Sequence, residues 1–404
     1  MRDVQPLRVM HVCLHTDPYD EPGSGDVGGM NVVVRHTAEA MAAAGHEVDV
    51  VTRRSGAEAE SESHPVPGVR VLRLDVGPAR RIPKGEHEGL IAPFADRLRA
   101  LQAPDVVHSH HWFSGAAALP VAREWGVPHV QTFHSIAADP ATELSAGERP
   151  ESPGRLAGEA VLARESDLVL AVSRAEAATV RDRLGGSRVA LAPPGVDPVL
   201  FTTTPHPPRA ESSLTADSAL SAGTGYVLLA ARLEPLKGID LAIAALGRVP
   251  ADQRPALVVA GGPTADETYP EQLRALAQEQ GVDARFVGPQ PRPALAALMR
   301  GARALLVPSH SETYGLVALE AAASGIPVIA AAVGGLREAV VDGVTGVLLN
   351  TRDPRHWAST VSKLLADPAR AARVGKAARE HALHHTWART AERVVDAYLS
   401  LLPR

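Results

Sequence analysis

Short runs dense in Val, Ile and Leu alternate with alanine-rich amphipathic stretches along the chain, the pattern of a parallel sheet covered by helices. In the first half the runs at 7–14, 48–53, 69–76, 105–110, 129–134, 168–173 and 188–193 predict strands. Helical periodicity fills several intervals, as in VVRHTAEAMAAAG, where Gly45 suits a C-terminal cap. The alternation breaks over 202–225, TTTPHPPRAESSLTADSALSAGTG, where Pro, Ser and Thr crowd and apolar periodicity fades. It resumes with strands predicted at 226–233, 255–262, 284–288, 304–309, 326–332 and 346–350. Self-similarity at a period of ~20 to 50 residues is absent, which argues against a solenoid. The fold class is therefore α/β, with two doubly wound, Rossmann-like domains in tandem.

Composition narrows the partner. At 404 residues the chain exceeds what one core organises, and 45% hydrophobic residues suffice for two. Net charge is −5 with both signs scattered, so no footprint for nucleic acid or an anionic membrane shows, and the expected partners are small molecules. Cys13 is the single cysteine, which excludes an internal disulfide and fits a reducing compartment. It lies inside an apolar run, where a buried inert thiol is expected. MRDVQPLRVMHV lacks the apolar stretch of a signal peptide, and no apolar run approaches the ~18 residues of a membrane span. A soluble, cytoplasmic protein with no membrane partner is the expectation.

Ligands of doubly wound sheets bind beyond the carboxyl ends of the strands, and the polar clusters of this chain fall there. In PGSGDVGGMNVVV, residues 22–34, Gly28 and Gly29 precede a helix beginning near Met30. Their amides and the helix N-terminus suit an anion, a mobile glycine turn being the plain alternative. The loop is too long and its glycines wrongly spaced for the dinucleotide fingerprint. Asp26 would instead hydrogen-bond acceptor hydroxyls. Arg232 and Lys237, in AARLEPLKGID, pair a guanidinium fork with a compact ammonium, a combination suited to a departing diphosphate or simply a solvated basic pair.

In SETYGLVALEAAASG, Glu312 falls in a loop before Gly315 and Glu320 inside the following helix. Carboxylates accept hydrogen bonds from sugar and ribose hydroxyls, while a solubilising role would explain Glu320 as well. AAVGGLREAV repeats the glycine-before-helix device with Gly334 and Gly335. His15, His108, His110, His111 and His134 all fall at predicted strand ends. Zinc is disfavoured, since HSHH has no helical or CxxC-type frame and no carboxylate accompanies it. Hydrogen bonding to a polyhydroxylated ligand suits one or two of them, with packing at the sheet edge the alternative for His108 and His111.

Taken together, GDVGGMNV, RLEPLKG, SETYGLVALEAAASGIPVIA and VGGLREAVVDGVTG resemble the retaining glycosyltransferases of family 4, of GT-B fold, over essentially the whole chain. HTDPYDEPGSGDVGGMNV is similar to the loop of the actinobacterial D-inositol-3-phosphate branch, which serves mycothiol biosynthesis. The resemblance implies two Rossmann-like domains facing across a cleft. Residues 1–200 with 387–404 would form the acceptor-binding domain, 201–225 a linker or surface excursion, and 226–386 the nucleotide-sugar domain.

It further implies that Arg232 and Lys237 bind the donor diphosphate, Glu320 the ribose, and Glu312 with the backbone of Tyr314, Gly315 and Leu316 the donor sugar. Gly28 and Gly29 complete that donor set, and His134 lies near the transferred sugar. Acceptor residues would be His15, Asp26, Asn31, Lys84, His111, Ser135 and Arg155. His111 stands where the family has tyrosine, Ser135 where it has threonine, and Gln290 where an arginine flanks the base. These departures leave UDP- and GDP-sugar donors both open. They also leave open an antibiotic-pathway paralogue, for instance one moving a sugar from a GDP donor to a small thiol.

Retention would proceed by front-face attack, the leaving phosphate accepting the acceptor's proton with His134, Arg232, Lys237 and Glu312 around it. Neither a metal nor a further cofactor is implied beyond the nucleotide sugar, and a homodimer is compatible. The amphipathic HHTWARTAERVVDAYLSLL would cross back to the first domain. A nucleotide-sugar epimerase and a noncatalytic nucleotide-binding regulator are the rival readings.

Overall fold

In the computed structural model, residues 5–21, 27–204, 225–264 and 268–403 are described. The described residues divide into two compact units, the first comprising 5–20, 27–194 and 387–403 and the second 21, 195–204, 225–264 and 268–386. The excursion expected at 201–225 lies largely outside the described residues, as does Asp26.

The first unit is built on an eight-stranded sheet of order β3-β4-β2-β1-β5-β6-β7-β8. Its strands are β1 Arg8–Cys13, β2 Glu47–Arg53, β3 Glu62–Ser63, β4 Val69–Leu74, β5 Val106–His110, β6 His129–Thr132, β7 Leu168–Ala171 and β8 Val189–Leu191. Among the described residues only the β3–β4 pair is antiparallel. Between them run α1 Gly29–Ala43, α2 Ile91–Arg99, α3 Trp112–Trp125, α4 Arg155–Glu165 and α5 Arg174–Asp182.

Because successive strand residues point to opposite faces, each strand feeds two cores. Met10, Val12 and Val107 pack with Phe94 of α2 and Phe113 of α3. On the other face Val9, Val48 and Val71 meet Ala38 and Met41 of α1.

Among the described residues the second unit has six strands, β9 Tyr226–Ala230, β10 Ala256–Ala260, β11 Ala284–Gly288, β12 Leu305–Val307, β13 Val328–Ala331 and β14 Gly346–Leu349. Their order is β11-β10-β9-β12-β13-β14, all parallel. Its helices are α6 Ile239–Leu246, α7 Tyr269–Glu279, α8 Arg292–Gly301, α9 Leu316–Ala323, α10 Leu336–Ala339, α11 Pro354–Ala366 and α12 Pro368–Ala382. Val227, Leu229, Leu257 and Ile329 share a core with Ile239 and Ile243 of α6 and the fully buried Trp357 of α11.

The last helix, α13 Trp387–Leu399, belongs to the first unit. Its apolar stripe, Ala391, Val394, Val395 and Tyr398, joins the core of Val9 and Val48. That stripe spaced at three and four residues is why the segment folds as a helix against the sheet.

Candidate active site

Strand order in the second unit reverses between β9 and β12, and a crevice for ligands opens at such a point. The loops leaving those two strands carry the cations and carboxylates picked out in the sequence. After β9, residues Pro235–Lys237 make a single 3₁₀ turn that ends at Gly238 with φ +66°. A side chain there would put its Cβ 2.1 Å from the Pro308 carbonyl oxygen, so glycine is what brings this turn against the exit of β12. His310 N–H donates to the Leu236 carbonyl at 2.8 Å and ties the loops together.

Lys237 Nζ consequently lies 3.0 Å from Glu312 Oε2. Burial alone would lower the Lys237 pKa, but Glu312 and Glu234 outweigh it and the net shift is upward. Arg232 pairs with Glu234 at 3.2 Å. Two cations are thus held charged at the crevice, each against a carboxylate.

The Glu312 loop rests on the second glycine pair. Gly335 N–H donates to the Glu312 carbonyl at 3.0 Å. A Cβ on Gly334, whose φ is +45°, would fall 1.9 Å from that same oxygen, and one on Gly335 2.3 Å from the Thr313 oxygen. Backbone contact, rather than room for an anion, is the demand these glycines meet. Gly315, with φ +96°, precedes Leu316 at the start of α9, and the buried Tyr314 places its hydroxyl 3.3 Å from His385 Nδ1.

Glu320 is buried and accepts from Arg292 Nη1 at 2.9 Å. The Arg292 guanidinium lies over the Phe201 ring, 5.0 Å from its centroid. Gln290 turns its amide back to donate to the Val287 carbonyl at 2.7 Å. Arg292 was not selected in the sequence; its position two residues after Gln290 carried no signal, because its partner is 28 residues away.

In the first unit the order reverses between β1 and β5. His15 follows β1, His111 follows β5 and His134 follows β6. His111 at φ +71° and His134 at φ +62° are the only non-glycine residues with positive φ among the described residues, a strained conformation that clusters at functional sites. His15 and His111 approach to 4.5 Å between ring centroids. Burial, then the nearby Lys84, lowers the pKa of both, so these rings are neutral.

The structure brings Lys84, His111, Ser135 and Arg155 together, around carboxylates that sequence reasoning missed. Arg155 is fully buried; its Nε donates to Glu159 at 2.8 Å, Nη1 to Glu151, and Nη2 to Ser135 Oγ at 3.0 Å and Glu148 at 3.2 Å. Lys84 Nζ stands 3.6 Å from Glu148 and 4.0 Å from Glu151. Burial pushes the Glu159 carboxyl up to about 7 despite the guanidinium beside it. Glu151 and Glu159 sit one turn either side of Arg155 in sequence, which is the one signal that could have revealed them.

Asn31 is buried and spends its amide within the loop. Its Nδ2 donates to Thr16 Oγ1 and the Asp17 carbonyl at 2.9 and 2.7 Å, while its Oδ1 accepts from Gly28 N–H at 3.2 Å. A Cβ on Gly28 would meet nothing within 4 Å, so packing does not require glycine there.

His108 does not sit at a sheet edge: it lies inside β5, between β1 and β6, because its ring is fully hydrogen-bonded in the interior. Its nitrogens lie 2.6 Å from Tyr398 Oη and 2.9 Å from Thr132 Oγ1. His11, concealed in an apolar run, pairs in register with it. Nitrogens of His11, His108 and His110 fall within 4.8 Å of one another. His11 Nδ1 and His110 Nε2 are 2.7 Å apart, the spacing of a hydrogen bond. Two nitrogens on one tetrahedral ion would stand about 3.3 Å apart.

Residues 27–200 match the description Glycosyltransferase Family 4, and residues 213–381 match Glycosyl transferases group 1. The chain is 38% identical to D-inositol 3-phosphate glycosyltransferase of Stackebrandtia nassauensis, over 99% of this chain and 93% of that one. It is 41% identical to the protein of that name from Frankia alni, over 95% and 97%. Among solved structures, sucrose-phosphate synthase from Thermosynechococcus elongatus shares 30% identity at a TM-score of 0.85, covering 98% and 99% of the two chains. HepE of Anabaena, in complex with UDP and glucose, shares the fold with a TM-score of 0.76 at 20% identity, covering 98% and 100%.

Proposed function

Because the chain belongs to the family 4 glycosyltransferases of GT-B fold, we propose that it moves a sugar, with retention, from a nucleoside-diphosphate donor to an inositol phosphate. The observation that carries this reading is the half-buried Lys237–Glu312 pair beside Arg232, set where the strand order of the second unit reverses. A departing diphosphate is the ligand that such a cationic pair suits best. It would draw Lys237 and Arg232 from their glutamates and release Glu312 to accept sugar hydroxyls. Glu320, steadied by Arg292, would accept from the ribose. The peptide N–H groups of Tyr314, Gly315 and Leu316 add donors at the start of α9.

Charge decides the chemistry. As the anomeric C–O bond lengthens, positive charge builds on the sugar ring and negative charge on the leaving phosphate, where Arg232 and Lys237 stabilise it. The acceptor oxygen bonds to the anomeric carbon on the face being vacated, and its proton passes to the departing phosphate oxygen. Glu312, once released from Lys237, is taken up by sugar hydroxyls in this reading, and no covalent glycosyl-enzyme on that carboxylate is invoked.

On the acceptor side Lys84, Ser135 and Arg155 form the polar cluster, and the relatives named for D-inositol 3-phosphate support a phosphate there. Glu148 and Glu151 already neutralise these cations, so a phosphate must displace carboxylates to bind. Gly28, with no packing reason to lack a side chain, fits close passage of a ligand.

Product mass spectrometry tests the proposal, using UDP- and GDP-sugars with inositol 3-phosphate, free inositol and low-molecular-weight thiols. Glycosylated inositol phosphate with retained configuration is expected. Product from free inositol or a thiol alone would overturn the acceptor; turnover without any acceptor would replace transfer by epimerisation.

A further inference from the structure

Three imidazoles of the first unit form one hydrogen-bonded row. His11 Nδ1 and His110 Nε2 are 2.7 Å apart, and His110 Nδ1 and His134 Nε2 are 2.8 Å apart. His11 Nε2, at the inner end, is buried without a partner. A neutral imidazole has one N–H and one bare nitrogen, so the direction of one hydrogen bond dictates the other. Burial keeps the rings neutral, with His11 and His134 lowered to about 3.

Two directions are available. In one, His11 Nδ1–H donates to His110, His110 Nδ1–H donates to His134, and a bare nitrogen is left buried at His11 Nε2. In the other, His134 Nε2–H starts the row and a buried N–H is stranded at His11. A stranded buried N–H is the rarer defect in proteins, which selects the first direction.

Neighbouring His108 cannot exchange into the row. Thr132 Oγ1 donates its hydrogen to the Leu170 carbonyl at 2.9 Å and must accept from His108 Nε2, so His108 Nδ1 accepts from the Tyr398 hydroxyl. Glu176, fully buried, accepts from the backbone N–H of His134 and steadies the left-handed turn that aims the ring.

We infer that His11 and His110 are positioning residues that fix His134 as an Nδ1–H donor, offering a hydrogen bond to a sugar oxygen and no base. The inference rests on the reading above that His134 adjoins the transferred sugar. The row itself is a property of the free protein, so it is testable apart from that reading.

Long-range ¹H–¹⁵N spectra of ¹⁵N-histidine protein report which ring nitrogen carries hydrogen, His134 being assigned through His134→Gln. Nδ1–H is expected for His134 in the free enzyme. His11→Leu should leave His134 a mixture of tautomers and lower kcat about tenfold with donor KM little changed. His11→Asn, whose amide N–H stands near the place of Nδ1, should restore both the signature and most of kcat. His134 protonated on Nε2 in the native protein would overturn the inference, and so would a loss of kcat in His11→Leu with the tautomer unmoved. Should His11→Leu not fold, the native and His11→Asn spectra decide. An Nδ1–H signature with His134→Gln still fully active would leave the row standing and sink the sugar-contact reading.

Discussion

Lys237 holds its charge in a half-buried place because Glu312 and Glu234 stand beside it. Removing it should therefore act on chemistry more than on folding. Lys237→Ala is expected to lower kcat about 10²–10³-fold, the usual cost of deleting one group that stabilises a leaving oxyanion, with an unchanged thermal midpoint. Steady-state kinetics beside a melt would check it. Gly334→Ala should do the reverse. Its Cβ would collide with the Glu312 carbonyl oxygen, 1.9 Å away, at a φ of +45°. A loss of at least about 2 kcal/mol of stability in urea unfolding is expected, with activity falling as the Glu312 loop shifts.

Elements register the same logic through packing. Helix α13 is held to the first unit by an apolar stripe and by polar bonds that include Tyr398 Oη to His108 Nδ1 at 2.6 Å and Thr390 Oγ1 to the Pro193 carbonyl at 2.9 Å. Tyr398→Phe keeps the ring but leaves His108 Nδ1 bare and buried, so a loss of about 1–2 kcal/mol is expected from denaturant unfolding of the first unit.

The strands were the legible part of the sequence. Runs such as 48–53 and 226–233 returned as β2 and β9 because buried parallel strands are apolar on both faces. The two-residue β3 gave no signal, since its residues, Glu62 and Ser63, are polar and lie at the sheet edge. Side chains that answer to distant partners were illegible: His11 reads as an interruption of an apolar run, and Arg292 as a loop cation. What the motifs did supply was the loops: Lys237 and Glu312 converge because they follow the two strands of the switch point, and Gly334 and Gly335, after the neighbouring β13, support the Glu312 loop.

Across the molecule, histidine burial sets the response to acid. Burial lowers His11 and His129 to about 3, whereas an unfolded chain would titrate them near 6.5. Below pH 6.5 the unfolded state binds more protons, so the stability these groups contribute is full above that value and lost as pH falls towards 3. Each fully buried ring removes about 1.4 kcal/mol per pH unit across that window. Glu159 and Glu176, raised to about 7 by burial, have the opposite sign, favouring the fold at low pH and opposing it as pH rises from 4.5 to 7. With His15, His108, His110 and His111 also lowered, the histidines outweigh them. Urea titrations at a series of pH values should show the first unit weakening from pH 6.5 downward.

Arg155 has every arm engaged before any acceptor arrives. An oxyanion that captures this guanidinium strips Glu159 of its counter-charge, and a carboxyl already poised at about 7 then picks up hydrogen from solution. Calorimetric heats of acceptor binding near neutrality should accordingly vary with the ionisation enthalpy of the buffer, the enzyme drawing a proton from its surroundings for each molecule it takes in.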